Sequence, residues 1–368
     1  MLRLFTSCFF LFCANRVWAF PENVRHGYFN CTACHVSPSG GGVLTPYGRS
    51  LSAELMSTWG SAKTSGFFFT DNENASINPP WLRSNIFFRG VQTWRNSPVV
   101  EKAQFIPMRG DFEGGVDTEK FAVIAALGFR ARDNSSTNLN ELFSRSHYLL
   151  YRISDNLNVR LGKFLFAFGL GGPDHITATR RGLGWDQGSE SYNLEVSFLG
   201  EKSNTIITAI SNVPQEKGVT KDGGFSVTQN FLLREHSKVG INLYSGEQGA
   251  YQRYVYGPSW VLSFSDRLFL NSEVFGQSKK LKDTGQTKNG YATYHRLNYQ
   301  VVKGFVAFVQ SDRSFLDNKT RETCLDTYGG GVQWLPYPHL EVVSYYGKEK
   351  AYSQMATDFA WLMMHVYL

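Results

Sequence analysis

Ser191-Tyr192-Asn193-Leu194-Glu195-Val196-Ser197-Phe198 decides the fold. Its apolar side chains, Tyr192, Leu194, Val196 and Phe198, alternate one for one with Ser191, Asn193, Glu195 and Ser197. A strand sends successive side chains to opposite faces, so this stretch presents one greasy face and one wet face. The same alternation recurs outward along the sequence. Phe121, Val123, Ala125, Leu127 and Phe129 stand opposite Arg130 and Arg132, Trp260, Leu262 and Phe264 opposite Ser259, Ser263 and Ser265, and Leu297, Tyr299 and Val301 opposite Arg296, Asn298 and Gln300.

Continuing this reading predicts strands near positions 82, 102, 120, 141, 156, 188, 203, 225, 238, 251, 267, 289, 303, 327, 339 and 357, sixteen in all. Connection length separates two architectures that both alternate. A soluble sandwich or propeller has no reason to alternate long and short connections, whereas bacterial membrane barrels have short periplasmic turns and longer extracellular loops. Here Ser154-Asp155, Gly200 to Lys202, Glu235 to Ser237, Ser265-Asp266, Val302-Lys303 and Pro336-Tyr337-Pro338 are short. Between them fall Arg132 to Asn140, Gly169 to Gln187, Asn212 to Gly224, Lys279 to Gly290, Asp312 to Leu325 and Lys348 to Gln354. The expected fold is therefore all-β, an antiparallel transmembrane β-barrel of about 16 strands, with both barrel ends on the short-turn side.

Composition agrees. Aromatics make up 15% and glycines number 35, and after the first residues no run of 18 or more apolar residues occurs, so no transmembrane helix is expected. Residues 1–19, with Arg3, an apolar stretch and Val17-Trp18-Ala19, read as a secretory signal peptide. Arg3 and Arg16 would leave with it, reducing the formal charge from +6 to about +4, too mild to suggest a nucleic-acid partner.

Past that segment stands Cys31-Thr32-Ala33-Cys34-His35. In an exported protein the pattern C-x-x-C-H is the attachment site of c-type haem: the two thiols add to the macrocycle and the histidine sits under the iron as proximal ligand. No second cysteine pair or thioredoxin-like pattern accompanies it, which disfavours a zinc or redox-disulfide site. One haem c is thus expected, on Cys31 and Cys34, with His35 axial. The opposite axial position is open. His26 and Met56 are candidates, as are the barrel residues His147, His175, His295 and Met108, and a vacant position is the remaining choice.

Beyond the motif, Ser37 to Arg49 is a Gly/Pro-rich wrap, and Ser50 to Trp59 reads as a short helix capped by Ser50 with Glu54 in its first turn. The expected organisation is a signal peptide over 1–19, a monohaem c-type cytochrome segment over 20–63, a linker over 64–81 and a barrel over 82–368. Such a short segment buries too little surface to fold alone, so it should plug or cap the lumen and use the barrel as its wall. The loop Gly169 to Gln187, with Asp174, His175, Arg180 and Arg181, could be an inward-folded constriction or an outer binding surface; a plain solvated rim loop is expected, and Cys324 an incidental thiol.

These residues resemble the fused monohaem cytochrome-porins of bacterial outer membranes, which include iron-oxidising electron conduits. The resemblance rests on Arg25 and Gly27 before the haem motif, then Pro38 and Leu44-Thr45-Pro46-Tyr47-Gly48-Arg49, followed by the barrel. Two departures are Asn30, where iron oxidases commonly carry proline, and the added Gly40-Gly41-Gly42. The resemblance implies that the haem segment plugs the lumen and that Cys31, Cys34 and His35 hold the haem. Outer-membrane electron transfer is the expected function, with the segment entering from the periplasm. Expected partners are a periplasmic cytochrome or other redox carrier, an extracellular metal such as Fe(II) or another redox partner, and outer-membrane lipid. Oxidoreductase activity follows only if an extracellular metal is oxidised or reduced directly. The competing expectation is a porin for small solutes, with the haem segment as structural plug or redox gate.

Overall fold

Sixteen antiparallel strands close into one barrel, each paired to its sequence neighbours and the last to the first. The computed structural model describes residues 21–61, 79–99, 101–131, 139–172, 176–186, 188–213 and 221–367; the expected signal peptide and most of the expected linker lie outside them. The strands are β1 (Leu82–Asn96), β2 (Glu101–Asp117), β3 (Phe121–Ala131), β4 (Leu139–Ser154), β5 (Leu157–Phe164), β6 (Ser191–Leu199), β7 (Ser203–Ile210) and β8 (Asp222–Leu233). They continue as β9 (Ser237–Gln248), β10 (Tyr251–Ser263), β11 (Leu268–Leu281), β12 (Thr287–Val302), β13 (Phe305–Phe315), β14 (Cys324–Trp334), β15 (Leu340–Ala351) and β16 (Thr357–Tyr367). Closure is direct, with Phe87 opposite Tyr367 and Asn96 opposite Asp358.

Side-chain parity follows the sequence. In β6, Ser191, Asn193, Glu195 and Ser197 are buried inward while Tyr192, Leu194 and Phe198 are exposed outward. Around the barrel the outer face carries Phe121, Val123, Leu161, Leu243, Tyr256, Leu297, Tyr299 and Leu362, all exposed. An apolar belt of this extent is stable against lipid and not against water. Among the described residues no helix is long and apolar enough to cross a membrane; the strands supply the crossing. We expect Leu194→Arg, which puts a cation on the belt, to destabilise the barrel in phospholipid vesicles by about 2–4 kcal/mol. Urea unfolding in those vesicles checks this; a surface-like change under about 0.5 kcal/mol would remove the lipid face.

In β3 the expected outer face holds, with Phe121, Val123, Leu127 and Phe129 exposed, but the opposite face differs. The inward side chains described there are Ala122, Ile124 and Ala126, all fully buried and apolar. They pack with Val36, Val43, Tyr148, Leu150 and Phe164, so this wall is apolar because the N-terminal segment covers it. Loop lengths also change. The expected long loop Lys279 to Gly290 is mostly strand, since β11 runs to Leu281 and β12 begins at Thr287, and Gly249-Ala250 alone joins β9 to β10.

Residues 21–61 occupy the lumen at the short-turn end. Asn30 donates through Nδ2 to the Gly200 carbonyl at 2.9 Å, and Arg25 donates to the Asp266 carbonyl at 2.8 Å while stacking over Phe269. Thr58 N–H donates to the Leu335 carbonyl at 2.8 Å, Trp59 N–H to that of Pro336 at 3.0 Å, and Lys303 Nζ to the carbonyls of Glu54 at 3.1 Å and Gly60 at 3.2 Å. Each partner lies in or beside a short turn, so the turns form a ring that grips the segment.

The β5–β6 connection also folds inward. Phe166, Phe168, Leu183 and Trp185 are buried against Tyr244, Val255 and Phe275 of the wall. Leu170 and Gly169 donate their backbone N–H groups to Glu273 Oε1 at 2.6 Å and Asn242 Oδ1 at 2.9 Å. The expected solvated rim loop is therefore a lumen constriction, driven there by aromatic side chains that water does not hold. Asp174 and His175 lie outside the described residues, and Arg180 is buried. Leu170 meets Val24 and Phe29 in one apolar cluster, so constriction and N-terminal segment touch inside the barrel.

Candidate functional site

Cys31, Thr32 and Ala33 form a single 3-10 turn. The N–H groups of Cys34 and His35 both donate to the Cys31 carbonyl, at 3.1 and 2.9 Å. This brings both thiols and the imidazole onto one tight bend. Neither cysteine is in a disulfide. Cys31 is exposed to the lumen cavity yet enclosed by the wall, and this enclosure raises its thiol above the usual range. Cys34 is buried, and burial, then the neighbouring Cys31, pushes it up to about 12.

Behind the bend the backbone is held by glycine geometry. Gly40, Gly41 and Gly42 have φ of +81°, +71° and +68°, a left-handed run that side chains with a Cβ disfavour, and it turns the backbone over Cys31. Gly48 lies against Cys34, where a Cβ would come within 2.3 Å of the Cys34 carbonyl oxygen. A helix, α1 (Pro46–Leu51), starts here with Pro46 in its first turn and Thr45 as N-cap, whose hydroxyl accepts from Gly48 N–H at 3.0 Å. The wider turn Ser52–Met56 continues it. The expected cap at Ser50 is thus displaced to Thr45, because proline fits the first turn and leaves the preceding threonine to cap.

An open cavity of about 390 Å³ lies beside this bend. Cys31, His35, Met56, Phe87 and Tyr148 line it, with arginines Arg89, Arg109, Arg145 and Arg160. Arg160 bonds Ser37 and Ser39 of the segment and pairs with buried Glu195 at 2.8 Å. Arg145 pairs with Asp111 at 2.6 Å, and Arg109 reaches the same carboxylate. The cavity volume lies within the roughly 300–1,000 Å³ usual for small-ligand sites, and the lining mixes apolar Phe87, Phe164 and Met56 with the four arginines and the carboxylates of Glu113 and Glu190, a mixture that suits an apolar macrocycle carrying polar substituents. Among the described residues there is no cluster of three or more side chains able to hold a bare metal ion. Cys31, Cys34 and His35, brought onto one bend, are the residue types that attach and ligate a c-type haem.

The second-ligand candidates separate. Met56 is buried and lines the same cavity, whereas His26 lines a different crevice with Leu55, Asp266 and Gln300. His147 packs edge-on against outward Tyr192, and His295 sits between Tyr294 and Arg296, both buried inward, so strand parity turns both histidines away from the lumen. Met108 packs against the separate Val91–Phe308–Tyr345 cluster, and His175 lies outside the described residues. One lining residue that the sequence reading missed is His365. In β16 both faces are apolar, with Met363 and Tyr367 inward and Leu362 and Met364 outward, so alternation alone marks neither as wet. The histidine itself was the available signal.

No protein-family model and no curated protein matches this sequence. Among solved structures, it is similar to the outer-membrane channel DcaP of Acinetobacter baumannii, with TM-score 0.55 and 11% identity over 78% of this chain and 97% of that one. OmpT, an outer-membrane protein of Vibrio cholerae, gives TM-score 0.56 and 8% identity over 79% and 99%. The anion-selective porin from Comamonas acidovorans gives 0.55 and 10% over 78% and 99%. The fold is that of the outer-membrane porins. Residues 21–61, seated in the lumen, form an addition ahead of the barrel.

Proposed function

We propose that this protein is an outer-membrane electron-transfer protein that carries one haem c in the lumen of a porin-like barrel, facing the periplasm. The observation that supports it most is the cavity itself: the Cys31–His35 bend opens onto a space walled by the barrel, and the lumen beyond is narrowed by the β5–β6 connection. When bound, the haem supplies reversible one-electron transfer. The protein's own residues attach and aim it. Cys31 and Cys34 anchor the macrocycle, His35 supplies the proximal nitrogen, and the Gly40–Gly42 turn lets the backbone pass close to Cys31. The turn-end bonds of Arg25, Asn30 and Thr58 fix the segment against the wall, and Arg89 and Arg109 offer cations to its carboxylates.

A membrane belt about 25 Å tall is taller than one haem, so partners on both sides are part of this reading: a periplasmic cytochrome or similar carrier, and an extracellular donor or acceptor such as Fe(II). The protein is an oxidoreductase only if it exchanges electrons with that metal directly. A second reading is favoured by the likeness to channels and porins: passage of small solutes, with residues 21–61 as plug or redox gate. Covalent haem separates the first reading from a plain porin. Protein purified from an outer-membrane fraction is expected to keep a haem peroxidase stain after denaturing electrophoresis, and a stain-free band overturns the proposal.

A further inference from the structure

We propose that His365 is the second axial ligand of the haem, an inference that rests on the haem reading above. Three strands assemble its surroundings: Arg89 of β1 and Glu341 of β15 both lie directly opposite His365 in the ladder. Its Nδ1 is 3.0 Å from Glu341 Oε2 and 3.5 Å from Arg89 NH2. The shorter contact, to a carboxylate, fixes Nδ1 as the protonated nitrogen that donates. Glu341 is in turn held by Gln333, whose Nε2 donates to Oε1 at 2.6 Å.

The other nitrogen, Nε2, is buried without a hydrogen-bond partner among the described residues, on a residue only 8% exposed. A buried ring nitrogen without a partner is costly unless a ligand meets it. A histidine whose remote N–H is held by a carboxylate is the usual arrangement of a metal-bound imidazole, because the carboxylate sets the tautomer and raises ligand basicity. Position agrees. His365 lines the same cavity as Cys31 and His35. Its ring stacks on Phe87 at 6.1 Å and lies 5.1 Å from Tyr367. Phe87 and Tyr367 pack on Leu44, and Leu44 bridges His35. The last strand thereby supplies a ligand that the short N-terminal segment lacks, making the closed barrel part of the iron site.

Met56 is the rival in the same cavity, and optical and electron paramagnetic resonance spectra of the full-length detergent-purified protein separate them. The expected wild-type spectrum is low-spin bis-histidine, with no methionine–iron charge-transfer band. His365→Ala should keep covalent haem, lose the low-spin signal, bind carbon monoxide rapidly when reduced, and regain the low-spin spectrum when imidazole is added, a rescue that misfolded protein would not show. Met56→Leu should leave the spectrum unchanged. A high-spin wild type, an unchanged His365→Ala spectrum, failure of imidazole rescue, or loss of the low-spin signal in Met56→Leu each overturns the assignment. Absence of covalent haem in the wild type instead overturns the reading on which it rests.

Discussion

Replacing Cys31 and Cys34 together by serine yields a folded barrel that carries no covalent haem. The thiols contribute little to the packing that holds the segment: the turn-end hydrogen bonds of Asn30 and Thr58 and the apolar contacts of Val36 and Val43 with the β3 wall are untouched. Serine preserves the shape of the bend, where the Cys31 carbonyl and not its sulfur holds the turn. Haem stain after denaturing electrophoresis should fall to background, while heat-modifiable migration of the barrel is unchanged. Haem that stays covalently bound to the double variant would place the attachment elsewhere and remove the role assigned to the motif.

Arg253→Ala should open the lumen. This guanidinium is fully buried; it donates to both Asp222 oxygens at 3.1 Å, to Gln277 Oε1 at 3.0 Å and to the Leu183 carbonyl. It also lies 4.6 Å from the Trp185 ring. It thus ties the inward connection to the wall from two sides. Removal leaves Asp222, its side chain 9% exposed, beside Trp185 and Tyr244 without its cation, a loss of about 3–5 kcal/mol concentrated in the β5–β6 connection. Planar-bilayer recordings should show larger single-channel conductance than wild type. Equal conductance would mean that this connection does not limit the pore.

Much of this fold is legible because a lipid-facing wall enforces strict parity. Each of the sixteen strands starts within three residues of its expected position, and β6 is readable residue by residue. Legibility fails where the lumen is filled. In β3, and in β16 apart from His365, the inward side chains are themselves apolar, since they pack on the N-terminal segment or on aromatic neighbours, and alternation carries no sign there. The β5–β6 connection fails for a related reason: its polar residues read as a rim, while Phe166, Phe168 and Trp185 decide the outcome through contacts with strands distant in sequence. At the candidate site, the haem motif is local and readable. Glu341 and His365 meet only through strand register, so His365 emerges only once the barrel is closed.

On the proposed function, the barrel carries electrons through a haem and does not chiefly pass solute. Vesicles containing the protein, loaded with a membrane-impermeant redox dye small enough to enter the barrel mouth and given an external impermeant reductant, test it most directly alongside a sugar-swelling assay. We predict reduction of the enclosed dye by wild type, none with the Cys31/Cys34 double serine variant, and slow swelling. Rapid swelling with no reduction of the enclosed dye would contradict the account.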